Sequence, residues 1–380
     1  MTSQSGPANV GSPFEGNLWR PEEVTGKRSP LACGPPGMAD SALSSSPKTS
    51  RSSGEPSIAE WDRVGREVCQ AFSGIGFVYL KNHGLPNEMV KEVNDSSGKF
   101  FQLENTKKRK YERGVVDIQG YTAVGRERLS EDRTAQEFRE SYDVKRPDGM
   151  FPDEEVPDMR PSVETFMNAC KDLTRKILVA MAIGLGASWL CLTKEDTQTI
   201  LQSDPLKKKK KKTNPFPSTG LEPAFFVSNH QQMCTESNTT CLRILYYPSL
   251  PESVPGGSIR CAAHTDYGTV TLLFQDDVGG LQVCEALLGR WIDAVPVPGA
   301  VLVNVGDILQ FWTSGKLRAT EHRVLIPPEE TRRRSPRRSV VFFVHPDDPV
   351  LITPLDGSSA YRPITAKDHS DLRFRQTYEY

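Results

Sequence analysis

The sequence predicts an α+β protein, with helices in the first half of the chain and a core of short β-strands in the second half. In the first half, apolar residues recur at intervals of three and four, which is the spacing of amphipathic helices. From Leu242 onward, short alternating apolar runs are separated by Pro, Gly and Asp. About seven such runs indicate a β-sandwich or jelly roll.

The charges of the chain nearly balance, with 47 Lys and Arg against 48 Asp and Glu, for a net charge of −1. We therefore expect neither a nucleic acid nor a membrane as a partner. The N-terminus has no apolar segment of the secretory type, so we expect a cytoplasmic protein in a reducing compartment. The eight cysteines are scattered without a C-x-x-C pair, which predicts thiols rather than disulfides or a zinc site.

The first half of the chain divides into a polar tail and a helical region. Residues 1–57 are dominated by Ser, Pro, Gly and Thr, and we expect them to be disordered. Over residues 58–204 the pattern predicts a helix that begins at Ile58, the short strand FVYLKNH, and a second helix that reaches Phe101.

A longer helix is predicted from apolar residues spaced at three and four between Val163 and Leu178. It continues into the uncharged stretch Ile177–Leu192, which raises the alternative of a membrane span. That stretch is shorter than the roughly 18 apolar residues a span requires, and it contains two glycines. We therefore interpret it as the buried end of a helix.

The second half of the chain begins with a polar insertion. Residues 205–224 contain six consecutive Lys followed by Pro and Gly, and we expect a solvated loop. The alternative of a nuclear import signal or a nucleic-acid tail stays open for this run and for RRRSPRR at 332–338. Residues 225–356 hold the strands of the core, and residues 357–380 regain helical spacing as a terminal helix and tail.

The candidate metal site is formed by His264, Asp266 and His322. In the sequence H-T-D, a spacing of two places His264 and Asp266 on one face of an extended segment. His322 alternates with apolar residues in TEHRVLI and is expected to face the interior. Two imidazoles and one carboxylate make the facial triad of non-haem Fe(II) oxygenases. H-x-D alone is a weak signal, because short motifs recur by chance.

A candidate carboxylate site follows His322 at Arg337 and Ser339. These two residues are separated by one position at the start of SVVFFVHP, so they share a strand face. A guanidinium fork beside a hydroxyl suits a buried carboxylate. The alternative is a surface cluster of arginines in a basic loop.

In order and spacing, five segments resemble the isopenicillin N synthase-like family of Fe(II)- and 2-oxoglutarate-dependent dioxygenases. They are GIGFVYLKNHGLP, LRILYYPSLPE, CAAHTDYGTVTLLFQD, GDILQFWTSGKLRATEHRV and RRSVVFFVHPD. The resemblance covers residues 58–204 and 225–378. It implies a double-stranded β-helix, or jelly roll, behind an N-terminal helical cap, with Fe(II) on the triad and 2-oxoglutarate held by Arg337, Ser339 and Tyr247. The chain departs from the family where SALSSSPKTSRSSGEPS replaces the opening strand. It also has Leu245 where the family has an Asn two residues before the co-substrate Tyr.

The function implied by this resemblance is the oxidation, by hydroxylation or desaturation, of a small organic substrate. Dioxygen is consumed, and succinate and CO2 are released. We expect a monomer, with the substrate bounded by Tyr267, Phe343 and the segment 115–145, including Phe138, Glu140 and Tyr142. Two alternatives stay open, which are an iron oxidase that does not use a 2-oxo acid and a catalytically silent scaffold with basic binding segments.

The remaining histidines carry weaker signals. His83, His345 and His369 are interpreted as packing or turn residues. His230 has the alternative of lining the mouth of the pocket.

Overall fold

Two β-sheets form the core of the protein. The computed structural model describes the backbone of residues 43–45 and residues 57–114, 118–127, 129, 137–187, 221–250, 254, 257–285, 288–329 and 334–377. The larger sheet has eight strands in the order β1-β2-β10-β7-β12-β5-β4-β3, and the smaller has four in the order β6-β11-β8-β9. Two facing sheets of short strands confirm the jelly roll that the sequence predicts.

Most of the strands lie in the second half of the described chain. Their bounds are β1 Leu43–Ser45, β2 Phe77–Lys81, β3 Gly120–Thr122, β4 Glu140–Val144, β5 Cys241–Tyr247, β6 Cys261–His264, β7 Val270–Gln275, β8 Leu281–Glu285, β9 Arg290–Asp293, β10 Ala300–Val305, β11 His322–Val324, β12 Arg337–Val344, β13 Leu351–Ile352 and β14 Ile364–Thr365.

The described helices lie mainly before the strands of the core. Their bounds are α1 Ile58–Gly74, α2 Asn87–Phe101, α3 Asn105–Lys108, α4 Met159–Gly184, α5 Phe225–Ser228, α6 Asp307–Trp312 and α7 Ala366–Thr377. The predicted start of α1 at Ile58 is confirmed, and the helix α7 falls within the predicted terminal segment 357–380.

Helix α1 begins where the sequence supplies a capping box. The Ser57 Oγ accepts a hydrogen bond from the Glu60 backbone amide, and the Glu60 carboxylate accepts one from the Ser57 amide at 2.7 Å. The helix crosses α4 at two glycines. A Cβ added to Gly65 would lie 2.6 Å from the Ala180 carbonyl oxygen, and one added to Gly184 would lie 2.2 Å from the Gly65 oxygen. Only glycine permits this close helix contact.

Helix α4 supports the large sheet from behind. Residues Ile177 to Ile183, near its end, are buried throughout, in agreement with the described part of the predicted buried helix end. Phe166 of this helix packs edge to face against Phe274 of β7, with ring centroids 5.0 Å apart. None of the described helices is long and apolar enough to cross a bilayer.

The first half of the chain contributes more to the sheet than the sequence predicts. Residues 43–45, which fall in the predicted disordered tail, form strand β1 and pair parallel to β2. The expectation that no strand precedes the first helix is therefore wrong. The predicted strand FVYLKNH is confirmed as β2, whereas β3 and β4, which the sequence does not predict, also join the large sheet. The rest of residues 1–56 and residues 188–220, which include the Lys run, lie outside the described residues. At the end of the predicted solvated insertion Leu221 packs against the core, so the loop expected over 205–224 does not extend to Leu221.

Candidate functional site

The three predicted metal ligands come together at the edge of the small sheet. Asp266 Oδ1 lies 3.7 Å from Nε2 of His264 and 3.7 Å from Nε2 of His322. One ligand atom from each residue lies within 4.8 Å of the other two. The two histidines are register partners on the antiparallel strands β6 and β11. Asp266 lies two residues beyond the end of β6, in the connection to β7.

Backbone carbonyls fix the orientation of both imidazoles. His264 Nδ1 lies 2.9 Å from the Ala262 oxygen, and His322 Nδ1 lies 3.1 Å from the Thr320 oxygen. A carbonyl can only accept, so each Nδ1 carries the proton and donates it. The unprotonated Nε2 atoms then point toward Asp266, which is the tautomer that a metal ligand needs.

Asp266 is held as a carboxylate by its surroundings. Burial acts to raise the pKa of this side chain, but His322, His264 and hydrogen bonds from Asn304 and Thr271 bring the pKa below its ordinary value. Asn304 on β10 donates to Asp266 Oδ2 at 2.6 Å. Burial, with repulsion from the neighbouring His264, lowers the pKa of His322. The site therefore offers one anion and one neutral imidazole, which are the forms that bind metal.

The predicted carboxylate site lies on β12 and β5. Arg337 is 1% exposed and is the register partner of Tyr247. Its guanidinium donates to Ser339 Oγ and to Gln275 Oε1, both at 3.2 Å, and its Cζ lies 4.9 Å from the centroid of the Tyr247 ring. The Nε of Arg337 has no hydrogen-bond partner within the described part of the chain.

The neighbouring Arg338 points the other way, as the predicted alternation of β12 requires. It is partly exposed, its Cζ lies close to the helical Gly98, and Nη1 reaches the Asn94 carbonyl oxygen at 3.5 Å. The two arginines therefore face opposite sides of one sheet, and only Arg337 lines the cavity described next.

One cavity contains the triad and the carboxylate site together. Tyr267 and Phe343 line it, as predicted, and so do Phe374 and the metal ligands. The other predicted substrate residues point elsewhere, which is a correction to the sequence analysis. Glu140 forms a buried ion pair with Lys108 at 2.6 Å, Tyr142 is fully buried in the core, and Phe138 is absent from the lining.

Among the described residues of the segment 115–145, the side chains that reach the cavity are Glu127, Leu129 and Arg139. Glu127 is 4% exposed, and its two oxygens lie 2.8 Å from Arg243 Nη1 and 3.1 Å from Arg139 Nη2. Arg243 also binds both oxygens of Asp143, at 2.6 and 3.0 Å. The sequence analysis missed this buried ionic network, because its members are far apart in the chain.

The end of helix α7 contacts the connection that carries Asp266. Arg373 donates to Thr265 Oγ1 at 3.2 Å, and its Cζ lies 4.5 Å from the centroid of the Tyr267 ring. The Tyr267 hydroxyl hydrogen bonds with Thr377. The residues on either side of Asp266 are therefore both held by the C-terminal helix.

The other histidines are uncharged at neutral pH, because desolvation lowers the pKa of each below its ordinary value. Burial lowers the pKa of His230 to about 4, and its two nitrogens contact the Phe226 carbonyl oxygen and Thr269 Oγ1. His230 is absent from the cavity lining, so the alternative of a residue at the pocket mouth is wrong. His345 does line the cavity, contrary to its interpretation as packing alone. His83 packs edge to face on Phe274, as predicted.

Comparison with known families agrees with this geometry. Residues 238–346 match the 2OG-Fe(II) oxygenase superfamily, and residues 49–163 match the family described as non-haem dioxygenase in morphine synthesis N-terminal. The second match begins before α1 and therefore adjoins strand β1, which the sequence analysis did not predict.

Relatives and solved structures extend the match across most of the chain. The 2-oxoglutarate-dependent dioxygenase frbA of a Dothideomycetidae species is 31% identical, over 86% of this chain and 93% of its own. A UPF0676 protein of Schizosaccharomyces pombe is 32% identical, over 83% and 89%. The crystal structure of a full-length Neurospora crassa protein in complex with alpha-KG has a TM-score of 0.68 at 28% identity, over 84% and 93%.

The chain belongs to the 2OG-Fe(II) oxygenase superfamily. Within it, the chain is an isopenicillin N synthase-like Fe(II)- and 2-oxoglutarate-dependent dioxygenase, an oxidoreductase that acts on a small molecule with 2-oxoglutarate and dioxygen. The predicted cofactors, Fe(II) and the co-substrate 2-oxoglutarate, are those of this family.

Proposed function

We propose that His264, Asp266 and His322 bind the Fe(II), and that Arg337, together with Ser339 and Tyr247, binds the distal carboxylate of 2-oxoglutarate. One observation carries this proposal. The three metal-ligand atoms lie within 4.8 Å of one another in the same cavity that the buried guanidinium of Arg337 lines.

The donor set fits Fe(II). Two unprotonated Nε2 atoms and one carboxylate oxygen would supply three ligands to Fe(II) and would leave positions open for the co-substrate and dioxygen. The Asn304 amide holds the second oxygen of Asp266, so the first oxygen faces both imidazoles. This support orients the ligands before metal binds.

The arginine site fits a dicarboxylic acid. The described hydrogen-bond partners of Arg337 are the neutral side chains of Ser339 and Gln275, so no described carboxylate hydrogen bonds with it and a ligand anion can do so. Its unpartnered Nε offers a further donor. A guanidinium group can donate two parallel hydrogen bonds to a carboxylate, and an adjacent hydroxyl can donate a third.

When bound, Fe(II) and 2-oxoglutarate supply an oxidation of an unreactive C–H bond, with release of succinate and CO2. The protein contributes orientation and exclusion of water. Arg337 and Ser339 fix one end of the co-substrate, and the triad receives its 2-oxo acid end. Phe77, Leu273 and Val341, which line the cavity, keep the site apolar between these two ends.

The substrate binds against Tyr267, Phe343 and Phe374, beside the pair Glu127 and Arg243. A small uncharged polar molecule fits this wall, because the Glu127 carboxylate is already paired with two guanidinium groups. A structure of the same Neurospora crassa protein in complex with alpha-KG and thymine, itself an uncharged polar ring, supports the same class. The C–H bond that faces the metal determines whether the substrate is hydroxylated or desaturated.

The test is a stoichiometric assay with Fe(II), 2-oxoglutarate and a panel of uncharged and charged metabolites. We expect one succinate for each oxidised product, and no turnover in Asp266→Ala. Asp293→Ala, which changes an exposed aspartate on β9, is the matched control and should retain activity. Oxidised product without any 2-oxoglutarate would favour the alternative iron oxidase. Salt-sensitive nucleic-acid binding that survives loss of His264 would favour the silent scaffold.

We further propose that the protein is cytoplasmic and monomeric, and that its Lys-rich insertion over 205–220 is solvated. Sedimentation velocity of the full chain checks the oligomeric state, and fractionation of cells that express it checks the compartment. A stable dimer or a membrane-bound fraction would contradict it.

A further inference from the structure

A second arginine is buried next to the proposed co-substrate site. Arg260 precedes β6 by one residue and is 0% exposed. Its Nη2 donates to the Ser335 carbonyl oxygen at 3.2 Å, whereas Nε and Nη1 have no hydrogen-bond partner among the described residues. A buried cation with unpartnered donors is costly, so its presence requires a compensating anion.

Arg260 and Arg337 lie over the same aromatic ring. The Cζ of Arg260 is 5.9 Å from the centroid of Tyr247, and that of Arg337 is 4.9 Å from it. Burial, and then repulsion by Arg337, lowers the pKa of Arg260 to about 10. Arg260 is therefore still a cation at neutral pH, and two positive charges share this end of the cavity.

The carboxylate whose charge acts on Arg260 is Asp276. Its oxygens are occupied by backbone amides, since Oδ2 accepts from Arg338 at 2.5 Å and Oδ1 accepts from Val278 at 3.1 Å. Two guanidinium groups thus face one carboxylate at this end of the described site. A surplus of positive charge remains for an incoming anion.

We propose that Arg260 is a positioning residue for the co-substrate, whose charge acts across the Tyr247 ring to stabilise the distal carboxylate on Arg337. It thereby favours a 2-oxo diacid over a 2-oxo monoacid of the same length. This inference rests on the proposed function, in which Arg337 binds that carboxylate. Arg260 is not among the residues that line the cavity, so its effect is electrostatic and not a direct contact.

The experiment compares two ligands that differ only at the distal end. Dissociation constants of 2-oxoglutarate and 2-oxopentanoate are measured by calorimetry on the full chain with Fe(II), without oxygen. In Arg260→Met, the constant for 2-oxoglutarate should rise about tenfold, equivalent to about 1.4 kcal/mol. The constant for 2-oxopentanoate, which has a methyl group in place of the distal carboxylate, should stay the same. Arg260→Lys keeps the charge and should bind 2-oxoglutarate nearly as the parent does.

The melting temperature separates this role from a structural one. An apolar residue in place of an uncompensated buried charge is neutral or stabilising, so ligand-free Arg260→Met should melt no lower than the parent. If Arg260→Met melts at a lower temperature and loses affinity for both ligands equally, Arg260 stabilises the fold and does not position the co-substrate. If 2-oxopentanoate binds too weakly to titrate, equal losses of 2-oxoglutarate affinity in the Met and Lys variants would overturn the inference.

Two further variants separate this inference from the proposed function. Arg338→Met removes a nearby but partly exposed charge and should change neither constant. If Arg337→Gln weakens 2-oxoglutarate binding and Arg260→Met does not, only the role of Arg260 fails. If Arg337→Gln leaves 2-oxoglutarate binding unchanged, the co-substrate site itself is wrong.

Discussion

Replacement of Asn304 by alanine tests how much the metal site depends on residues that do not touch the metal. In the structure, the Asn304 amide donates to Asp266 Oδ2 at 2.6 Å, and both side chains are almost fully buried. Without this donor, one oxygen of the carboxylate loses its fixed direction. The carboxylate can then turn away from His264 and His322.

The expected loss follows from the hydrogen bonds that remain. Loss of a partner that orients a metal ligand typically lowers metal affinity about 10- to 100-fold. Thr271 also hydrogen bonds with Asp266, so the support is not lost completely. We therefore expect the dissociation constant of Fe(II) to rise about tenfold in Asn304→Ala, which corresponds to about 1.4 kcal/mol.

The assay is an anaerobic Fe(II) titration of the parent and the variant, with thermal unfolding as a check on the fold. Asn238→Ala is the matched control. Asn238 is also fully buried and donates to a carboxylate, Asp347, at 2.8 Å, but Asp347 is not a metal ligand. The Asn238→Ala variant should therefore lose stability and keep its Fe(II) affinity. Unchanged Fe(II) affinity in a folded Asn304→Ala would refute the argument that this amide orients the ligand.

Three other predictions address the co-substrate, acid stability and the insertion. Arg337→Gln should raise the KM for 2-oxoglutarate roughly 30-fold or more, because a desolvated charge pair costs about 2–5 kcal/mol to break, whereas Arg338→Gln should have little effect; equal effects would contradict the strand register. His230 has a folded pKa of about 4, below the unfolded value near 6.5, so its contribution to stability is present above pH 6.5 and is lost as the pH falls toward 4. Urea titrations of His230→Gln across this range should show a loss of unfolding free energy that is smaller than the loss in the parent by about 3 kcal/mol. If the unfolding free energies of variant and parent depend on pH to the same extent, His230 does not control this loss. Deletion of Lys207–Lys212 should leave the melting temperature and turnover unchanged, and a large loss of either would mean that the insertion packs on the core.

Local patterns predicted those parts of the site in which neighbouring residues cooperate. Arg337 and Ser339 lie on one face because strands alternate, and at the start of β12 both are buried while Arg338 between them is partly exposed. His322 on β11 likewise follows from alternation with Val324. These are properties of a single strand, so the sequence alone contains the information.

The sequence analysis missed residues whose roles depend on tertiary contacts. Glu127 meets Arg243 only after two strands have paired, and no local pattern indicates that contact. Asn304 did carry a signal, since it is the one polar residue in the apolar strand AVLVNV. Strand β1 was missed because LSS has no strand pattern of its own, and its pairing with β2 supplies the order.

Helix α7 has a consequence for the order in which the enzyme is made. Translation delivers His264 and Asp266 more than a hundred residues before Arg373 and Thr377, yet those last residues hold both neighbours of Asp266. A nascent chain can therefore form the sheets before the connection that carries Asp266 has its final support. A truncation or a fusion partner placed in α7 therefore acts next to the proposed metal site and not at a remote end.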